Sequence, residues 1–334
     1  MLETILGLPL LSYIFLPIYT SWSTRLNILF FMLTWSMLLV SYPPWQVEAL
    51  GTLAVRTIFF LLPALASLLL DTGIPSLAVA IKAQGEVGLP GRLGPRRLLK
   101  LVGWSVFNVL LGVALQLAIE LFAAKLLRVR SALRVAKTLP APYEIAKHVG
   151  GAFLLRGVLQ YYIHRDLLHC QHSRLAKYHR EWALSIRAPF ALAATYDHPL
   201  CYLLHHWLPL FVPAAVFRCH VLTYQLLLAL VSLEEFFVYS GYSVLPSGIM
   251  LSGMARRADT HALTGGKGNY APLGVLDWLH GTSVGSDVSD DVRQELEKHD
   301  VKQKAGNAVD GATSKLNVRK GKKSSIASSR SATS

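Results

Sequence analysis

Uncharged apolar runs of bilayer length constrain this chain more than any other feature in it. Thr4 to Thr24 is 21 residues without a charge and Leu26 to Val47 a further 22, and a hydrocarbon core about 30 Å thick takes about 20 residues of helix. Gly51 to Leu70 is apolar apart from Arg56, near enough to one end for its side chain to reach the interface. Leu101 to Ile119 gives 19 uncharged residues, Pro199 to Phe217 another 19 and Cys219 to Leu233 a further 15. Where no water can satisfy backbone groups, such runs fold as helices. The expectation is an all-α, polytopic membrane bundle. Arg218 and His220 separate the last two runs, which contain Pro209 and Pro213, so these read as a re-entrant hairpin rather than two crossings. Glu234 and Glu235 follow; acids at a membrane boundary are functional candidates by default, but at a helix end a solvated pair is the favoured reading.

The charge pattern says where the rest of the chain lies. Hydrophobic residues make up 52% of the 334 and charged residues 16%, with a net charge of +13. No basic patch interleaved with aromatics accompanies a nucleic-acid-binding signature, which argues against nucleic acid. Lys and Arg gathered beside apolar runs instead fit contact with anionic lipid. FAAKLLRVRSALRVAKT, after Leu101 to Ile119, is expected to lie as an amphipathic helix in the interface plane. Thr72 to Lys100 ends in a Gly/Pro-rich surface loop. Basic clusters flank Leu101 to Ile119 on both sides, so the positive-inside rule leaves its orientation open. Cys170, Cys201 and Cys219 have neither zinc nor disulfide spacing and read as reduced thiols. Glu3 opens the chain without a basic region, so the first run is expected to be retained. From Ser286 the polar composition predicts a disordered tail. Three regions result: 1–140 with the first helices and basic loops, 141–285 with the histidines, and 286–334.

The stretch from Tyr161 to His198 carries His164, His169, His172, His179 and His198 between apolar segments. Imidazoles are costly near a bilayer unless something binds them, and a metal is the obvious candidate. On one continuous helix His164, His179, His172 and His169 project at roughly 0°, 60°, 80° and 140°, one broad half of its surface. His164 and His169 stand at i, i+5, a spacing that a π-bulge brings onto one face. The same spacing also fits a solvated juxtamembrane helix whose histidines hydrogen-bond to neighbours, and spacing alone leaves both readings open.

Several segments occur in the order used by one family. They are HRDLLH at 164 to 169, AKYHREW at 176 to 182, YDHP at 196 to 199, YSGYSVLP at 239 to 246, ADTHA from 258, and KGNYAPLGVLDWLHGT ending at 282. Residues 150 to 285 thereby resemble the fatty acid hydroxylase/sterol desaturase superfamily. The resemblance implies a membrane-bound, non-haem di-iron oxygenase of the endoplasmic reticulum, its histidine-rich helical cap and tail on the cytosolic side. Such enzymes act on lipid C–H positions with O₂ and electrons from cytochrome b5 or a reductase. Imidazole suits iron, and carboxylates normally orient such rings; Asp166, Glu181, Asp197 and Asp259 are near enough in sequence.

The chain departs from the family pattern in three places. The HxxHH box reads Ala176, Lys177, Tyr178, His179, Arg180; the histidine of the HSGY element is Tyr239; the last box reads Ala258, Asp259, Thr260, His261, Ala262. Residue by residue, His164, His169, His179 and His261 carry over, with His198 a fifth. His172 lies on a suitable helix face, and His205 and His206 would join if Pro209 bends their segment back. The candidate metal set is His164, His169, His172, His179, His198 and His261. Four or five imidazoles suit one ion better than two, so the expected iron count is two from the family, or one or none from this ligand set. Three functions compete: a lipid oxygenase, a lipid-binding or scaffold relative with a decayed site, and a single-metal hydrolase or isomerase.

Overall fold

The computed structural model describes residues 22–128, 130–245, 250–291 and 293. Most of the first apolar run, Thr4 to Thr24, and most of the tail from Ser286 lie outside the described residues. The chain forms two units, Met1–Gly285 and Ser286–Ser334. In the second, the Asp287 carboxylate accepts from the backbone N–H groups of Ser289 and Asp290 and starts a helical turn.

Among the described residues the first unit is helical with no strand. Its helices are α1 (Trp22–Ser41), α2 (Pro44–Gly73), α3 (Pro75–Ile81), α4 (Pro95–Leu126) and α5 (Pro142–Tyr162). α6 (Arg174–Glu181), α7 (Pro199–Val216), α8 (Val221–Tyr239), α9 (Met250–Leu263) and α10 (Val275–His280) follow. Proline opens α2, α3, α4, α5 and α7. At the first helical position its missing N–H leaves no bond unmade and its fixed φ is already helical. α2, α4, α7 and α8 are long and apolar enough to cross a membrane, as a polytopic bundle requires.

Three expected elements end elsewhere. The Leu26 to Val47 run is cut at Ser41, because Pro43 cannot continue a helix and Pro44 begins α2. The basic segment after Ile119 is helical only to Leu126; residues 132–140 form no helix and are held instead by Arg134, which exchanges backbone hydrogen bonds with Cys219 and Val221. The last apolar run does not stop at Leu233. α8 continues through Glu234 and Glu235 to Tyr239 and is 19 residues long, while α7 is 18, so each is long and apolar enough to cross a membrane.

The continuation through two glutamates has a physical cause. Both are buried, and each faces an arginine from another helix. Arg156 of α5 makes three 3.0 Å bonds to Glu234. Arg56 of α2 donates to Glu235 at 2.6 Å, to Ser232 Oγ at 3.0 Å and to Tyr202 Oη at 3.2 Å. Buried charges persist only when paired and hydrogen-bonded, so Glu234 and Glu235 are not the solvated pair their sequence position implies. α8 is the hub: it packs on α2, α5, α9 and the turn Ala191–Thr195, and its Tyr224, Leu227, Leu228 and Val231 form the core with Leu210, Phe211 and Ala214 of α7.

Two π-turns interrupt α2 and α7, at Thr57–Leu61 and Leu203–Trp207. Each ends just before a proline, Pro63 or Pro209, whose ring displaces the carbonyl four residues earlier. In α7 the wider turn carries His205 and His206 into the interior.

Candidate metal centre

The four histidines carried by matching motifs converge. His164, His169, His179 and His261 each offer a ligand atom, and these atoms lie within 4.8 Å of one another. Local structure produces this in steps. Ile163–Leu168 is a π-turn, which brings His164 and His169 together with their Nε2 atoms 3.2 Å apart. The helix then stops at His169, residues Cys170–Ser173 make a turn, and Ser173 caps α6 by accepting from Leu175 N–H. α6 therefore packs against the π-turn and sets His179 Nε2 3.3 Å from His164 Nε2. His261 arrives from α9, its ring centroid 4.7 Å from that of His164.

Hydrogen bonds on the far side of three of the four rings fix a proton there. His164 Nδ1 donates to the Tyr270 carbonyl at 2.7 Å, His261 Nδ1 to the Gly268 carbonyl at 2.6 Å, and His179 Nδ1 to Asp197 Oδ2 at 2.5 Å. Carbonyl and carboxylate oxygens accept only, so Nδ1 carries a proton in each of these three rings, and Nε2 is the atom turned inward. His261 Nε2 is buried without a hydrogen-bond partner. Burial, reinforced by the neighbouring imidazoles, holds His164 far below the usual imidazole range and His169 down at about 2; burial lowers His261 to about 4. Convergent lone pairs with no proton to share are what a metal ion satisfies. The donor set fits iron or another imidazole-binding transition ion.

Support for the rings comes from segments that spacing alone leaves unassigned. Asn108 of α4 donates to the carbonyls of Thr195 and Asp197, which holds the non-helical strap that presents the Asp197 carboxylate. In the NYAPLGVLDWLHGT block, the fully buried Asp277 carboxylate accepts from Tyr270 N–H, Ala271 N–H and Thr282 Oγ1. That ties the loop whose carbonyls hold His164 and His261. Gly266 (φ +90°) passes so close to His169 that a Cβ there would lie 2.4 Å from its Cε1. The cue for Asp277 was a short helix flanked by glycines at 274 and 281.

The remaining candidates lie elsewhere. His172 is exposed in the Cys170–Ser173 turn; the helix break there removes it from the face a continuous helix would give it. His198 caps α7, its Nδ1 accepting from Leu200 N–H and its ring stacked on Tyr178. Asp166 and Glu181 are exposed beside Arg165 and Lys177. Asp259 is buried in α9, and burial raises its carboxyl to about 6. His205 is buried with its centroid 4.2 Å from that of His164, and neither ring nitrogen has a partner. His206 faces the other way, 3.2 Å from Glu235.

A cavity of about 70 Å³ opens on the cluster, and Tyr239, Ala258 and Ala262 line it. Those are three of the positions where the family pattern has histidine. The missing imidazoles thus leave an apolar space beside the four that remain.

Comparison with known proteins agrees with this geometry. Residues 149–282 match the fatty acid hydroxylase family profile. Methylsterol monooxygenase 1-2 of Arabidopsis thaliana is 30% identical over 161 residues, 46% of this chain and 52% of that protein. Fatty acid hydroxylase domain-containing protein 2 of Homo sapiens is 32% identical over 136 residues, covering 39% and 37%. Fatty acid hydroxylase ahd1 of Mycosarcoma maydis is 27% identical over 147, covering 44% and 36%. The chain therefore spans between about a third and a half of the relatives it matches. No solved structure matches. Residues 149–282, which bring the four histidines together, carry a fatty acid hydroxylase-type domain, similar to those of the sterol desaturase superfamily.

Proposed function

We propose that this protein is a membrane-bound lipid oxidoreductase of the sterol desaturase/fatty acid hydroxylase type, acting on a lipid C–H position with O₂. His164, His169, His179 and His261 would hold one iron ion. The observation that carries this reading is the inward convergence of four imidazoles, three of which already have Nδ1 satisfied. Iron bound there supplies the activation of dioxygen that an aliphatic C–H bond demands. The chain's own part is to orient and to exclude. Asp197 locks the tautomer of His179 and raises its basicity as a ligand. Tyr270 and Gly268 do the same through their carbonyls, without adding charge. Ala258, Ala262 and Ala194 keep the cavity apolar, so that water and competing reactions are kept from the reacting carbon. Electrons come from outside the chain, from a cytochrome b5 or reductase type of donor, and the basic segments rest on anionic lipid. The setting is the endoplasmic reticulum membrane, with the histidine region on the cytosolic side.

Metal analysis of purified full-length protein tests this reading. About one iron per chain, together with an O₂- and NAD(P)H-dependent lipid product that His169→Ala abolishes, is expected. Protein that binds no metal when supplied with iron, yet retains lipid, would return the chain to the scaffold class.

A further inference from the structure

A second cavity, of about 190 Å³, lies behind the wall of the histidine site. It runs between α5, along Leu154, Gly157 and Gln160, and the segment 271–276. The two cavities share Ala271 and Pro272. The partition is held on both sides: Asp277 accepts from Ala271 N–H, Arg257 Nε donates to the Pro272 carbonyl, and Tyr270 accepts from His164. Of the second cavity's apolar lining Leu154, Val158 and Val275 are exposed, and Trp278 and Leu279 are exposed on the helix that follows. A contiguous apolar surface beside the spanning helices is the face a bilayer's hydrocarbon covers.

Inside, the polar groups are few, and one is incomplete. Arg156 and Glu234 neutralise each other. Gln160 is 3% exposed, and its Oε1 has no hydrogen-bond partner. A buried amide left unpaired is costly, and a hydroxyl would serve it whichever way the amide is turned, donating to the oxygen or accepting from the nitrogen. The volume is below the roughly 300–1,000 Å³ of pockets that enclose a whole small molecule. It suits a slender chain better than fused rings.

We propose that this cavity is a lateral port for a long-chain lipid alcohol, whose hydrocarbon chain enters between α5 and the 271–276 segment and whose hydroxyl bonds to Gln160. The inference rests on the oxidoreductase reading and specifies its substrate. Gln160 precedes His164 by four residues, a rise of about 6 Å along a helix. An anchored hydroxyl therefore lies about one helical turn from His164, across the Ala271–Pro272 partition from the metal ligands.

Photolabelling of full-length protein in lipid nanodiscs tests the port, with iron content measured on the same samples. The probes are a diazirine-bearing long-chain alcohol, the corresponding alkane and a diazirine sterol. Labelling by the alcohol is expected on residues 154–160 and 271–276. Gln160→Leu should weaken it about tenfold while alkane labelling stays. Gly157→Phe should remove both: a Cβ there meets only Leu273, at 3.8 Å, so the ring fills the port, and Gly157→Leu gives a milder block should the larger residue prevent folding. Labelling at other segments, stronger labelling by the sterol than by the alcohol, or a Gln160→Leu protein labelled as before would overturn the proposal. Iron bound without port labelling sinks the port alone. Port labelling on protein that cannot bind iron sinks the oxidoreductase reading and leaves the port standing.

Discussion

Two buried polar layers lie almost in contact in this protein, and they differ in whether they are complete. In the first, Arg56 meets Glu235, which also contacts His206, and Arg156 meets Glu234. Every charge there has its opposite. In the second, one turn or so away, His164, His169, His179 and His261 face one another, three of them with the outer nitrogen bonded, and no carboxylate enters the space between their inner nitrogens. His205 and His206, adjacent in sequence, divide between the two layers. The contrast teaches that burial of ionisable groups is not by itself a sign of chemistry. A layer that satisfies itself holds helices together. A layer that cannot do so needs something added.

That difference should appear most strongly when one group is removed from each layer. His164→Ala, at the centre of the imidazoles, is expected to abolish retained metal after dialysis, with the protein still folded. Metal content near the wild-type value would mean that the rings do not share an ion. Glu234→Ala should instead leave metal binding alone and cost about 3–5 kcal/mol of stability by stranding Arg156. The paired replacement Arg156→Met with Glu234→Leu should recover most of it, as read by thermal unfolding. Should the double variant be as unstable as the single one, the first layer does more than balance charge.

Smaller effects sharpen the picture. Asp197→Asn keeps a partner for His179 but removes the charge, and about a 10- to 100-fold loss of metal affinity is expected. Acid should weaken the metal-free protein. Free imidazole titrates near 6.5, and His261 is held at about 4, so between those values the unfolded chain binds more protons and stability falls as pH is lowered. A melting temperature flat over that range would contradict the burial described. Least of all, His172→Ala and His198→Ala should leave metal content unchanged, since neither ring points at the cluster.

Much of this was legible in the chain. The apolar runs around 51–70, 101–119 and 199–233 became spanning-length helices, and the i, i+5 spacing of His164 and His169 called for the π-turn that the structure contains. The errors share one cause. Placing His172 with the ligands assumed a continuous helix, which the Ser173 cap breaks. Reading Glu234 and Glu235 as solvated assumed that acids end helices, whereas arginines more than 70 residues away carry them inside. The role of Asn108 leaves no trace in residue type because its partners are backbone carbonyls, and those of Asp277 are backbone N–H groups apart from the Thr282 hydroxyl.

The amino-acid order alone determined that this chain is helical and suited to a membrane, and which four histidines stand in matching motifs, because those properties are local: run length, periodicity and short spacings. The fold decided which nitrogens face one another, which acids are neutralised, and that Tyr239, Ala258 and Ala262 enclose a space instead of adding ligands. Those outcomes depend on contacts between residues far apart in the chain, and only packing brings them within bonding distance.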